Sequence, residues 1–191
     1  MFIKKIGVLG AGIMGGGSGV AHLAAISGLE VVIYCEEQHL VESAIKRISG
    51  LLDKRIEKQK MTFAEKNAAL KRITITTNME DLAPVDMVIE TIYYDDIEIK
   101  KLSFEKMDII CGAEVVFCSM NIPNISAKSI SDLASATSRP SKVVGLKFLN
   151  PPLVMRPVEV IRGYHTSEET LALVTEAFKV MGKKAVVAVA R

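Results

Sequence analysis

VLGAGIMGGGSG, residues 8–19, places six glycines in twelve positions directly behind a short apolar run. Within it, Gly10-Ala11-Gly12-Ile13-Met14-Gly15 has the G-x-G-x-x-G spacing, and what flanks the spacing gives it meaning. Residues 6–9 read as a strand. Residues 13–27 return to small and apolar side chains at helical spacing until Gly28 stops them, and EVVIY (30–34) reads as a second strand. A strand, a glycine turn, a helix and a second strand form the unit that holds a dinucleotide. Gly10 permits the tight turn, Gly12 lets backbone approach a pyrophosphate, Gly15 lets helix pack on strand, and the first N–H groups of the helix face the phosphates. Gly10, Gly12, Ile13, Met14 and Gly15 are thus candidate cofactor-binding residues. Gly16, Gly17 and Gly19 loosen the place where the helix should begin, each costing about 1 kcal/mol relative to alanine.

The rest of the chain continues the alternation. A charged stretch over 37–70, with apolar residues at Leu40, Ile45, Ile48, Leu51, Leu52 and Ile56 and again from Phe63 to Leu70, predicts an antiparallel helix pair broken near Met61 and Thr62. Strands follow at 73–77, 85–91, 114–119, 142–148, 157–163 and 184–190. Helices are expected over 96–110 and 167–182, the second with Ser167 as N-cap and Gly182 at its end. Strands alternating with helices imply an α/β fold of the Rossmann type. It is a doubly wound, mostly parallel sheet, with the helix pair inserted after the second strand.

Composition sets limits on function. The 191 residues, 49% of them hydrophobic, suffice for one core-bearing domain and fall short of two ordinary ones. Lys and Arg exceed Asp and Glu by two (24 against 22), interspersed with acids, so no footprint for nucleic acid stands out. Cys35, Cys111 and Cys118 are odd in number and lack metal-ligand spacing, which points to a reducing cytoplasm. No apolar run approaches the roughly 18 residues of a membrane span, and a soluble chain without an export signal is expected.

The end of the second strand is unusual. A site that prefers NAD places an acid there to hold the ribose hydroxyls, yet the residue after Tyr34 is Cys35, followed by Glu36 and Glu37. Either acid could reach round, or both could simply favour the start of the next helix. With no arginine in that stretch to meet a 2'-phosphate, NAD is expected over NADP.

Over its whole length the chain resembles the NAD-binding domain of 3-hydroxyacyl-CoA dehydrogenases. The resemblance is carried by KKIGVLGAGIMG (4–15), EVVIY, DKRIEKQKMT (53–62), DMVIETIYYDDIEIKK (86–101), LASATSRPSKVVGLKFLNPP (133–152) and VMRPVEVIRG (154–163). It implies NAD as cofactor and an acyl-CoA as substrate, the 3-hydroxyl being oxidised to a ketone. In that family a histidine in a GLHFFNP-like segment removes the proton. A glutamate twelve residues on orients it, and a serine in an NTSS-like loop holds the substrate oxygen. Glu159 matches the glutamate and Ser126 the serine. Asp95 and Lys100 match an acid and a lysine bordering the nicotinamide, Lys58 lies where the family contacts CoA, and Asn150 falls in the segment expected to bind substrate. The resemblance also implies a following helical domain that dimerises, ahead of which the chain ends at Arg191, so a homodimer is a possible state.

The departures are specific. Lys147 stands at the base position, Cys35 at the ribose acid, Ala127 and Lys128 follow Ser126, and the stretch between Gly15 and Gly28 is two residues longer than the family spacing. A general base works best with a pKa near the operating pH. Histidine starts at about 6.5, whereas lysine starts at about 10.4 and a neighbouring carboxylate pushes it further away. Lys147 could therefore be an inert partner of Glu159, a working proton carrier if desolvated, or a holder of an acyl or phosphate group. Catalysis is expected to be impaired. Two alternatives remain open at this level: a non-catalytic nucleotide- or CoA-binding module, and an altered Rossmann scaffold that self-associates. His22, His39 and His165 read as packed or surface imidazoles.

Overall fold

The computed structural model describes residues 2–11, 16–92, 97–120, 125–149 and 154–188. Its elements, in chain order, begin with β1 (Lys5–Leu9), α1 (Gly16–Ile26), β2 (Glu30–Tyr34), α2 (Gln38–Glu57), α3 (Phe63–Lys71) and β3 (Ile73–Thr76). There follow β4 (Met87–Glu90), α4 (Ile97–Ile110), β5 (Val116–Ser119), α5 (Ala127–Ala134), β6 (Val143–Phe148), β7 (Pro157–Arg162), α6 (Glu168–Val180) and β8 (Lys184–Ala188). One sheet runs in the order β3-β2-β1-β4-β5-β6-β7-β8. Every pairing is parallel except β6 with β7.

Local chemistry explains the boundaries. Gly28 at φ +90° closes α1 and Gly182 at φ +71° follows α6, the left-handed conformation that glycine adopts without steric cost. The break in the helix pair is a capping box: Thr62 Oγ1 accepts from the Glu65 N–H, and Glu65 accepts from the Thr62 N–H. Ser167 caps α6 as expected, accepting from the Thr170 N–H. An element that the sequence reading passes over is α5, where serines and alanines around a few apolar residues read as loop. It is held by a second capping box, between Ser126 and Ser129.

Two cores cover the sheet. On one face α1, α2, α3 and α6 pack on Val8, Ile33, Ile89, Cys118, Val158 and Val160. On the other, α4 and α5 pack on Leu9, Val32, Val88, Phe117, Val143 and Ile161. The strictly alternating faces follow from the period of two along each strand. The chain winds outward from β1 to β3 and then, from β4, in the opposite direction. The carboxyl ends of β1 and β4 therefore flank the switch point at which such sheets bind ligands. Among the described residues, no helix is long and apolar enough to cross a membrane.

Candidate active site

At the switch point, Gly10 leaves β1 with φ +92° and its N–H donates to the Tyr34 carbonyl at 3.0 Å. Thr91, just past β4, closes the gap from the other side, its hydroxyl lying 2.7 Å from the Gly10 carbonyl oxygen and 3.1 Å from that of Leu9. A Cβ on Gly17 would sit 2.0 Å from Gly10 O and 2.7 Å from Thr91 Oγ1. Gly17 therefore provides a close helix-on-strand approach. The cradle fits a dinucleotide: a positive-φ turn, the start of α1 behind it, and a helix approach that a single Cβ would block. Gly12, Ile13, Met14 and Gly15 lie outside the described residues.

At the ribose end, Cys35 is buried and its N–H donates to Thr76 O at 2.9 Å. Burial pushes its thiol up, against the nearby Arg47 guanidinium, which pulls it down. Glu36 is exposed, in the bend that follows β2. Glu37 Oε2 lies 3.1 Å from His39 Nδ1. Arg47 is a residue that sequence reasoning misses. It reaches from α2 to donate through Nη1 to Ala11 O at 2.8 Å, so an arginine does stand beside this end of the site. Twelve positions beyond Cys35, it was findable only as a polar residue flanking the buried stripe of Ala44, Ile48 and Leu52.

Lys100 is 1% exposed. Its ammonium donates to Glu90 Oε1 at 2.9 Å, Glu90 Oε2 at 2.7 Å, Ile92 O at 2.6 Å and Met120 O at 3.0 Å. Glu90 also accepts from the Ser119 hydroxyl at 2.6 Å and from the Ile92 N–H at 2.6 Å. Burial pushes Glu90 up and Lys100 down, while their pairing and the added donors oppose both shifts. The structure thus places Lys100 beneath the edge of the site as a tie between α4, β4 and β5. Asp95 is outside the described residues.

Lys147 on β6 and Glu159 on β7 are direct cross-strand partners, with Nζ and Oε2 3.4 Å apart and side chains 55% and 34% exposed. Gly145, two residues earlier on the same face, gives room to α5: a Cβ there would meet Ile125 Cδ1 at 2.6 Å and Ile130 Cδ1 at 2.7 Å. Ile125, the residue before Ser126, thus packs its side chain over Gly145. The Ser126 hydroxyl caps α5, accepting from the Ser129 N–H at 3.2 Å, while its contact to Ser129 Oγ is a long 3.4 Å. Lys58 is exposed at the C-cap of α2. Twenty residues of helix, about 30 Å, separate it from the end of β2. Asn150 lies outside the described residues.

Comparison with known proteins agrees with this geometry. Residues 5–191 match the family described as 3-hydroxyacyl-CoA dehydrogenase, NAD binding domain. A probable 3-hydroxybutyryl-CoA dehydrogenase of Deinococcus radiodurans is 40% identical over 179 residues, 94% of this chain and 62% of that protein. Its Bacillus subtilis counterpart is 39% identical over 186 residues, 97% of this chain and 62% of that protein. The crystal structure of (S)-3-hydroxybutyryl-CoA dehydrogenase from Ralstonia eutropha superposes with a TM-score of 0.91 at 35% identity, over 99% of this chain and 64% of that one. The chain thus spans about three fifths of the length of these relatives. A parallel sheet with a glycine turn at its switch point, matched along 187 consecutive positions, places the chain in the 3-hydroxyacyl-CoA dehydrogenase family, as its NAD-binding domain.

Proposed function

We propose that the chain acts as the cofactor-binding domain, 1–191, of an NAD-dependent oxidoreductase interconverting 3-hydroxyacyl-CoA and 3-ketoacyl-CoA, with turnover slowed by Lys147. The observation that carries this reading is the Lys147–Glu159 pair near the end of β6 and the start of β7, on the face that α5 covers. NAD, when bound, supplies the hydride acceptor. The work of the protein lies in the remaining groups. Gly10 and the start of α1 receive the pyrophosphate, and Ser126 donates its hydroxyl to the substrate oxygen once freed from its long contact with Ser129. Lys58 meets the phosphates of CoA.

Lys147 explains the slowing. As the ammonium partner of Glu159 it offers donors and no acceptor. It can hold a carbonyl oxygen or deliver a proton to one, but it cannot take the proton of a hydroxyl until it has lost its own. A histidine at the same place would accept through a ring nitrogen with Glu159 behind the other. General-base catalysis of this type contributes about 100-fold or more. Oxidation of 3-hydroxybutyryl-CoA, followed by the rise of NADH absorbance, should be slow in the chain as it stands and rise by about that factor in Lys147→His. No rise, with the variant folded and binding NADH, would remove position 147 from the chemistry and leave a non-catalytic dinucleotide-binding module. The edge strand β8, with Val186 and Val187 44% and 46% exposed, supports pairing of copies. The three free cysteines, all buried, suit a cytoplasmic location.

A further inference from the structure

The ribose end of the cofactor site combines two features that point away from a strict choice of NAD. The acid that would bind ribose hydroxyls and repel a phosphate is replaced by Cys35, a neutral thiol 1% exposed. A positive charge stands nearby. Arg47 donates to the carbonyl of Ala11 at 2.8 Å, one residue beyond the glycine whose N–H is bonded to Tyr34 O. The guanidinium therefore lies across the gap between the end of β1 and the end of β2, where the adenosine ribose of a dinucleotide rests in this fold. Cys35 packs in the same core as Ala44 and Ile48 of α2, the helix that carries Arg47. Of the neighbouring acids, Glu36 is exposed in the bend after β2, and Glu37 lies beside His39.

We propose that this end of the site admits a 2'-phosphate, with Arg47 as the residue that reads it, so that the chain binds NADPH as well as NADH. The inference rests on the dinucleotide-binding reading above and refines it. A guanidinium matches a phosphate in charge and in planar donor geometry. A carboxylate at position 35 would instead repel the phosphate and hold the ribose hydroxyls. The two positions thus act as one selector, and the state found here, thiol with arginine, is the permissive one.

The test is calorimetric titration of the whole chain with NADH and with NADPH, since the chain has no tryptophan to report binding by fluorescence. The expected result is saturable binding of both, with dissociation constants within about tenfold of each other. Arg47→Gln should weaken NADPH about tenfold or more while changing NADH less than about threefold. Arg47→Lys should keep most of the NADPH affinity, and Cys35→Asp should shift preference toward NADH by about tenfold or more. Thermal unfolding of each variant establishes that it is folded; if Arg47→Gln is not, the lysine and aspartate variants decide the ratio. Binding of NADH alone, or an unchanged ratio in the variants, overturns the 2'-phosphate inference and leaves the dinucleotide site intact. Binding of neither overturns both.

Discussion

A Cβ on Gly17 would collide with the Gly10 carbonyl oxygen at 2.0 Å, whereas one on Gly50, inside α2, meets nothing within 4 Å. The two glycines therefore respond oppositely to alanine. Gly50→Ala replaces a flexible residue in a helix interior and should raise stability by about 0.5–1 kcal/mol. Gly17→Ala forces α1 off the end of β1, should cost about 3 kcal/mol, and should abolish NADH binding, because the turn that α1 braces moves with it. Urea midpoints and a binding titration on both variants check this. A destabilisation by Gly50→Ala, or an unaffected Gly17→Ala, would mean that the two positions have been misread. The same residues show what a motif can convey. Gly10 is legible in the sequence because its place is fixed by the strand before it. Gly17 was not legible as a close-packing position, because a motif counts positions while packing is set by where α1 begins.

Among elements, the tie made by Glu90, Lys100 and Ser119 holds β4, α4 and β5 together just below the site. Removing one charge of a buried pair leaves the other stranded, which costs about 3–5 kcal/mol, whereas removing both can be nearly neutral. Lys100→Met should therefore lower stability by about that amount, and Glu90→Gln with Lys100→Met should recover most of it, since an amide can still accept from Ser119 and Ile92. A double-mutant cycle on urea midpoints measures the coupling; additive losses would show that the pair is not the tie. Most elements were legible because their apolar period and caps agree, as with Thr62 ahead of α3 and Ser167 ahead of α6. By contrast, α5 was not, since its serines serve as cap and as partners of backbone while only Ile130, Leu133 and small alanines face the core. Lys100 shows the same limit at the site. The resemblance implies a place for it near the nicotinamide, but what its ammonium bonds depends on Glu90 at the end of β4 and Met120 just past β5.

For the molecule as a whole, the acid sensitivity of the fold should trace to one ring. His22 lies on α1 where that helix meets α2 and α3. It is 2% exposed, and neither ring nitrogen has a hydrogen-bond partner among the described residues. Burial, helped by the Arg55 charge, lowers its pKa from 6.5 to about 4. The unfolded chain, in which histidine keeps about 6.5, therefore binds more protons than the folded one between these values, and stability rises with pH across that window. The contribution is complete above about 6.5 and lost as pH falls toward 4, amounting to about 3 kcal/mol. Asp108 is affected in a lower range. Burial pushes it up, but hydrogen bonds from Ser138 and Arg139 outweigh that and hold it low, so its stabilisation disappears only below the ordinary carboxylate pKa of about 3.9. Urea midpoints measured from pH 7.5 down to 4.5 should fall steadily in the native chain. In His22→Gln the slope over this range should flatten, because the substituted side chain takes up no proton. A slope that survives the substitution would place the acid sensitivity in other groups and would require His22 to reach water or a partner when charged.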